Sequence, residues 1–144
     1  MNGEGLVVFL AGAIDLVPQE EQNWKESAKM KLKFGGFTVV DPAKTFSVYY
    51  PEEGRARKRL GNKLREINES GILHSDFIIA RITSTMSIGT VTELQLCKDN
   101  EKSCVIFWDS EDDVPLYLYT FNLPIFTTLD DCIYWVNEEA KYTI

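Results

Sequence analysis

The sequence predicts an α/β fold: a three-layer α/β/α domain built on a five-stranded parallel sheet. Three observations carry this expectation. Short apolar runs alternate with helical patterns, and strands alternating with helices imply a parallel sheet with right-handed crossovers. The first run, LVVFLAGAI from Leu6 to Ile14, is continuously apolar, as expected of a strand covered on both faces. The 144 residues contain no repeat, low-complexity tract or linker, which fits a single domain over residues 1–144.

The elements follow in order. After the first strand comes a polar loop with Pro18. Asn23, with Glu26 three residues on, has the spacing of a capping box. Trp24, Ala28 and Leu32 then recur at helical spacing, so Asn23 to Phe34 is expected to be an amphipathic helix, stopped by Gly35-Gly36. FTVVDP, Phe37 to Pro42, is the second strand. Ala43 to Gly54 is aromatic and irregular, with Phe46, Tyr49 and Tyr50, and is long for a βα loop. Arg57 to His74 is the second helix, with Leu60, Leu64, Ile67 and Gly71 as its inner stripe. Phe77 to Ile82 is the third strand, Thr90 to Asn100 the third helix and Cys104 to Trp108 the fourth strand. Past the acidic loop Asp109 to Asp113, a short fifth strand is expected at Pro124 to Phe126 and a last helix from Leu129 to Glu138. The whole is expected to be flavodoxin-like.

Composition narrows the function classes. Hydrophobic residues make up 44% and charged residues 26%, an ordinary globular mix. A chain of this length buries roughly 70% of its unfolded surface and needs no disulfide or metal staple. Cys97, Cys104 and Cys132 are odd in number and lack metal-type spacing, which suggests reduced thiols in a cytoplasmic protein. The amino terminus has no basic leader and reads as a strand, not a signal peptide. No apolar run approaches the ~20 residues of a membrane span, so no membrane partner is expected. The net charge of −7 argues against a nucleic-acid surface but not against one small anion held by local donors. No His, Cys and carboxylate cluster suggests a metal, and no cofactor is expected.

The chemistry concentrates after the third strand. SIGTVTEL, Ser87 to Leu94, places Glu93 near the start of a helix at the carboxyl edge of the sheet, where open α/β sheets bind ligands. The positive end of that helix is expected to keep a nearby carboxylate ionised. Thr90-x-x-Glu93 is also a regular capping box, a purely structural alternative. Against it, Ser87, Gly89 and the first helix amides form a donor-rich cup suited to a phosphate. In REINESGILHSD, Asn68 and Glu69 lie off the inner stripe; they either reach over the sheet edge to a sugar or base, or stay on a solvated face. Asp76, before the third strand, is expected to cap or turn. Gly12 and Asp15 stand just past the first strand, where a glycine lets a ligand approach the backbone or simply makes the turn. The G-x-G-x-x-G dinucleotide spacing is absent. The basic run Arg55, Arg57, Lys58, Arg59, Lys63, Arg65 is a solvated face, a contact for an acidic neighbouring subunit or a guide for an anionic substrate. His74 suits a helix terminus, and no serine or cysteine pairs with it as a nucleophile would.

VFLAGAID, NWKESAKMKLKFGGFTVVDP, INESGILHSDFIIARI and SIGTVTELQL, in this order and spacing over Val7 to Cys104, resemble the nucleoside 2-deoxyribosyltransferase-like family. The resemblance implies a nucleophilic glutamate on the helix after strand three, which falls on Glu93. It implies a carboxylate in the preceding helix that protonates or holds the base or sugar, which falls on Glu69. It maps the pocket-lining glycine turn onto Gly12, and it implies a homo-oligomer whose neighbouring subunit completes the site through an Asn or Ser, with Thr120 or Asn122 as the matching positions. Two departures stand out. Where free-nucleoside transferases usually carry an aspartate six residues before the nucleophile, this chain has Ser87, like the branch that hydrolyses deoxynucleoside 5′-monophosphates. A serine beside helix amides suits a phosphate that an aspartate would repel. Val91 stands two before Glu93, where some members have glycine.

The expected function is therefore cleavage or transfer at the N-glycosidic bond of a 2′-deoxynucleoside or its 5′-monophosphate, through a covalent glycosyl-glutamate. Glu69 or Asp15 would assist the leaving base, and Tyr49 of the aromatic loop would stack on it or cover the site. The alternative is a nucleotide-binding or sensing module without catalysis. A phosphoacceptor receiver domain needs an aspartate after strand three and an acidic pair after strand one, and the chain has neither.

Overall fold

The computed structural model describes residues 1–12, 22–42, 54–85 and 87–143, with backbone only at 54–57. Its strands are β1 (Val7–Ala11), β2 (Thr38–Val40), β3 (Phe77–Ile82), β4 (Ser103–Trp108) and β5 (Ile125–Phe126). Its helices are α1 (Trp24–Phe34), α2 (Gly54–His74), α3 (Ile88–Asp99) and α4 (Leu129–Ala140), with a 3-10 helix at Leu116–Phe121. All strand pairs are parallel, in the order β2-β1-β3-β4-β5. This is the expected three-layer, flavodoxin-like sheet.

Strand alternation divides the core in two. Val8, Leu10, Phe77, Ile79, Val105 and Phe107 face α1 and α4. Phe9, Ile78, Ala80, Ile82, Ile106 and Trp108 face the side of α2, α3 and the 3-10 helix. Both faces are covered, so the strands are apolar throughout. The β1–β3 register runs from Val8 opposite Phe77 to Ala11 opposite Ala80. Asp76 closes the start of this pair: its carboxylate accepts from the Val7 amide at 2.8 Å. The chain order reverses at β1, so the carboxyl ends of β1 and β3 form the crevice where such sheets take ligands.

Two helix ends show how local chemistry sets these positions. After Phe34, Gly36 adopts φ +93, the Phe37 amide donates to the Leu32 carbonyl and the Gly36 amide to that of Lys33. This Schellman closure turns the chain into β2. On α2, a Cβ at Gly71 would lie 2.5 Å from the Phe9 ring, so only glycine lets the helix sit this close to β1. At ~1.5 Å per residue, a 21-residue helix is about 31 Å long. It outruns strands of five or six residues, and its first half stands beyond the sheet edge as a wall.

Two capping expectations are corrected. Asn23 makes no side-chain cap: its backbone is already helical (φ −64, ψ −26), whereas a capping side chain reaches the first amides from extended backbone. Glu26 instead takes Lys29 at 3.2 Å. The cap of α3 is Ser87, with extended backbone and Oγ accepting from the Thr90 amide at 3.4 Å. The Thr90-to-Glu93 capping box does not form, and α3 starts two residues earlier than expected.

Candidate active site

With Ser87 as cap, Thr90, Glu93, Leu94 and Cys97 turn inward. A carboxyl group thus occupies a position the helix otherwise fills with apolar side chains. Glu93 is 9% exposed. Its Oε1 accepts from Asn68 Nδ2 at 3.2 Å, and its Oε2 is buried without a hydrogen-bond partner. Asn68 Oδ1 and Thr90 Oγ1 are likewise buried without partners.

The helix terminus does not hold the Glu93 pKa down as expected. Burial pushes its pKa up to about 7, against the opposing charge of Lys25 and the Asn68 hydrogen bond. Since α3 starts at Ile88, Glu93 lies in the second turn, where the favourable end effect has faded. Desolvation of the charged form wins.

Beside Glu93 a cleft of about 260 Å³ opens between α2 and α3. Asn68, Glu69, Gly89 and Glu93 all line it, together with Arg65 and Thr92. Asn68 is 8% exposed, which corrects its placement off the inner stripe. The line Leu64, Asn68, Ile72 runs down α2 at a spacing of four and brings the amide onto Glu93. Glu69 is half-exposed at the rim and takes Arg65 Nε at 2.8 Å.

The remaining sequence candidates lie elsewhere. Gly12 is buried at the end of β1, where an added Cβ would meet the Trp24 ring at 3.3 Å; the neighbour it accommodates is that indole. Asn122 ends the 3-10 helix in a left-handed conformation (φ 55), exposed and away from the cleft. Asp15, Tyr49, Phe46 and Tyr50 lie outside the described residues. His74 Nδ1 sits 2.8 Å from the Ser70 carbonyl, a helix-terminal contact. Among the described residues no group of three or more His, Cys, Asp or Glu is placed to hold a metal, and no helix is long and apolar enough to cross a membrane. All three cysteines are free and buried.

One cluster escaped the sequence reading. Lys25, in the first turn of α1, is 1% exposed. Its Nζ lies 3.1 Å from Asp41 Oδ1, and Lys29 Nζ lies 2.8 Å from Asp41 Oδ2. Burial pulls the Lys25 pKa down, against the pull of Asp41. Burial pushes Asp41 up, but the hydrogen bond from Lys29 and the charge of Lys25 outweigh it and hold Asp41 below the usual carboxylate range. A signal was available: Lys25 precedes Ala28 and Leu32 at helical spacing, a lysine on a core-facing stripe.

No protein-family model matches the chain, and no curated protein matches it in sequence. Solved structures do match in fold. A 2-deoxyribosyltransferase from Bacillus psychrosaccharolyticus superposes with a TM-score of 0.70 at 17% identity, over 88% of this chain and 90% of that one. The CMP N-glycosidase BcmB of Clostridium botulinum gives 0.62 at 14% identity, over 91% and 98%. A 2-deoxyribosyltransferase from Leishmania mexicana gives 0.61 at 16%, over 92% and 97%. The chain shares the fold of these enzymes along nearly its whole length.

Proposed function

We propose that the protein breaks the N-glycosidic bond of a 2′-deoxynucleoside or its 5′-monophosphate and passes the sugar to water or to a second base. One observation carries the reading: Glu93 is a buried carboxyl with one oxygen held by Asn68 and the other unpartnered, at the wall of a cleft. A buried polar atom without a partner costs stability, and such atoms call for an explanation. A reacting carbon above Oε2 supplies one. The likeness in fold to enzymes that act on nucleosides and on CMP supports the same class of substrate.

In this scheme ionised Glu93 attacks C1′ through Oε2 as the bond to the base breaks. The bonding pair leaves on the base nitrogen, which takes a proton from a water held by the Glu69 carboxylate. Charge at C1′ resembles an oxocarbenium ion, which an adjacent carboxylate stabilises as in retaining glycosidases. Water or a second base then attacks C1′ from the opposite face, its proton passes to the hydroxide left beside Glu69 and Glu93 is released. A 5′-phosphate is assigned to Ser87, whose hydroxyl proton remains free to donate while its oxygen caps α3, and to the neighbouring helix amides. In a homo-oligomer, exposed Asn122 would serve the cleft of a second copy.

The test is a panel of nucleosides and 5′-monophosphates, each with and without a second base, read by chromatography for free or exchanged base. Base release that falls by about 10³-fold or more in a folded Glu93→Ala protein supports the reading. Tight nucleotide binding with no base released by the wild type overturns it in favour of a non-catalytic binding module.

A further inference from the structure

The Asn68 amide has one end in use and one end idle. The residue is buried on α2 at the wall of the cleft, and its Nδ2 donates to Glu93 Oε1 at 3.2 Å. An ionised carboxylate only accepts hydrogen bonds, so the amide turns its nitrogen to Glu93 and keeps its carbonyl oxygen for something else. That oxygen, Oδ1, is buried with no hydrogen-bond partner, as is Oε2 of the glutamate it holds. Thr90 Oγ1 is unpartnered too, but Thr90 does not line the cleft. An amide oxygen can only accept, and a buried acceptor left unmatched destabilises the fold. The cleft wall offers it no donor. Leu64, Ile88 and Leu96 are apolar, and Gly61 and Gly89 have no side chain. Thr92 Oγ1 donates to the Ile88 carbonyl at 2.9 Å, and Arg65 Nε to Glu69 at 2.8 Å. The matching donor therefore belongs to the ligand.

The stereochemistry of the sugar identifies that donor. Glu93 attacks C1′ on the ring face opposite the departing base. In a natural β-nucleoside the base and the 5′ carbon share one face, and the 3′-hydroxyl lies on the other. A 2′-deoxy sugar has no second hydroxyl on the attacked face. We propose that Asn68 is a specificity-determining residue for the sugar: its Oδ1 accepts a hydrogen bond from the 3′-hydroxyl while its Nδ2 holds Glu93 Oε1. One amide then fixes the sugar and the attacking carboxylate relative to each other, with Oε2 left for C1′. This rests on the function proposed above and deepens it: the substrates are nucleosides or nucleotides with a 3′-hydroxyl, and 2′,3′-dideoxy forms are rejected. A site built to bond a hydroxyl discriminates against the analogue that lacks it, because its own polar group is then left unmatched.

The experiment compares the 2′-deoxy and 2′,3′-dideoxy forms of cytidine and adenosine 5′-monophosphate by calorimetry, in Glu93→Gln so that binding is read without base release. The glutamine carbonyl still accepts from Asn68 Nδ2. The 2′-deoxy form should bind about tenfold or more tighter than its dideoxy counterpart. Adding Asn68→Leu, close in volume but without the amide, should bring that ratio to about one. A merely structural asparagine would weaken both forms alike and keep the ratio. Equal binding of the two forms by the Glu93→Gln protein overturns the inference and leaves Oδ1 to a bound water. A ratio that survives Asn68→Leu but collapses in Glu69→Gln also overturns it, since the rim carboxylate is then the acceptor. If Asn68→Leu does not fold, Asn68→Ala reads the same comparison, and if neither folds, Asn68 is a folding residue and the inference fails. In the wild type, kcat/KM for base release should show the same preference. Base released equally from both forms overturns the inference and leaves the proposed function standing. Selective binding with no base released by the wild type defeats the proposed function and leaves the inference standing, and binding of neither form defeats both.

Discussion

A carboxyl group that titrates near pH 7 inside a protein makes folding depend on pH in an unusual direction. The Glu93 pKa moves from 4.5 to about 7 because burial penalises its charged form. Between these values the folded state holds a proton that the unfolded state has lost. The contribution of Glu93 is therefore fully favourable below about pH 4.5 and is lost as pH rises through about 7. The full span corresponds to about 3 kcal/mol, at 1.36 kcal/mol per unit. Glu93→Gln keeps the shape and removes the titration. Urea midpoints measured from about pH 4 to pH 8 should show the variant gaining stability relative to wild type as pH rises, with most of the gain between about pH 5 and 7. The same variant should lose base release, which separates the residue's cost to folding from its use in chemistry. A stability difference independent of pH would mean that Glu93 is not the buried titrating group.

At the scale of elements, helix placement does the positioning, and glycines report it. Gly71→Ala adds a methyl 2.5 Å from the Phe9 ring and should destabilise by about 1–3 kcal/mol, although alanine is the better helix former. Gly61→Ala on the same helix meets nothing within 4 Å and should stabilise by about 0.5–1 kcal/mol. Opposite signs in chemical denaturation check that α2 is held by close approach to β1. On α3, Ser87→Asp keeps a good cap, since aspartate and serine cap equally well. Its effect on activity therefore isolates charge at the proposed phosphate position. We expect kcat/KM for 5′-monophosphates to fall at least about tenfold more than for nucleosides, the equivalent of ~1.4 kcal/mol of added repulsion. The elements themselves were legible because apolar spacing betrays period and both faces of the sheet are apolar. The start of α3 was not, because Ser87 and Thr90 are both competent caps and only the packing of Leu94 and Cys97 decides between them. Glu93, Asn68 and Glu69 stood out by spacing, but the burial of Glu93 did not. Neither did the Lys25–Asp41 pair, since sixteen residues of chain separate two charges that meet only once α1 lies beside β2.

At the scale of the molecule, the question is whether the two halves of the core, on opposite faces of one sheet, unfold together. The cysteines are placed to answer it. Cys97 and Cys104 belong to the core under α2 and α3, and Cys132 to the core under α4. All are buried out of reach of a reagent, and burial raises the thiol of Cys132 to about 12. A thiol reagent such as DTNB should leave the native protein unlabelled and react with all three thiols in denaturant. The strands leave no seam between the faces, because β1, β3 and β4 contribute alternate residues to both cores. Opening one face exposes backbone that the other depends on. Labelling under native conditions should therefore show the three thiols reacting at one common rate, set by global unfolding. If Cys132 reacts ahead of the other two, α4 opens as a separate unit, and the cleft face can stay ordered while the opposite layer frays.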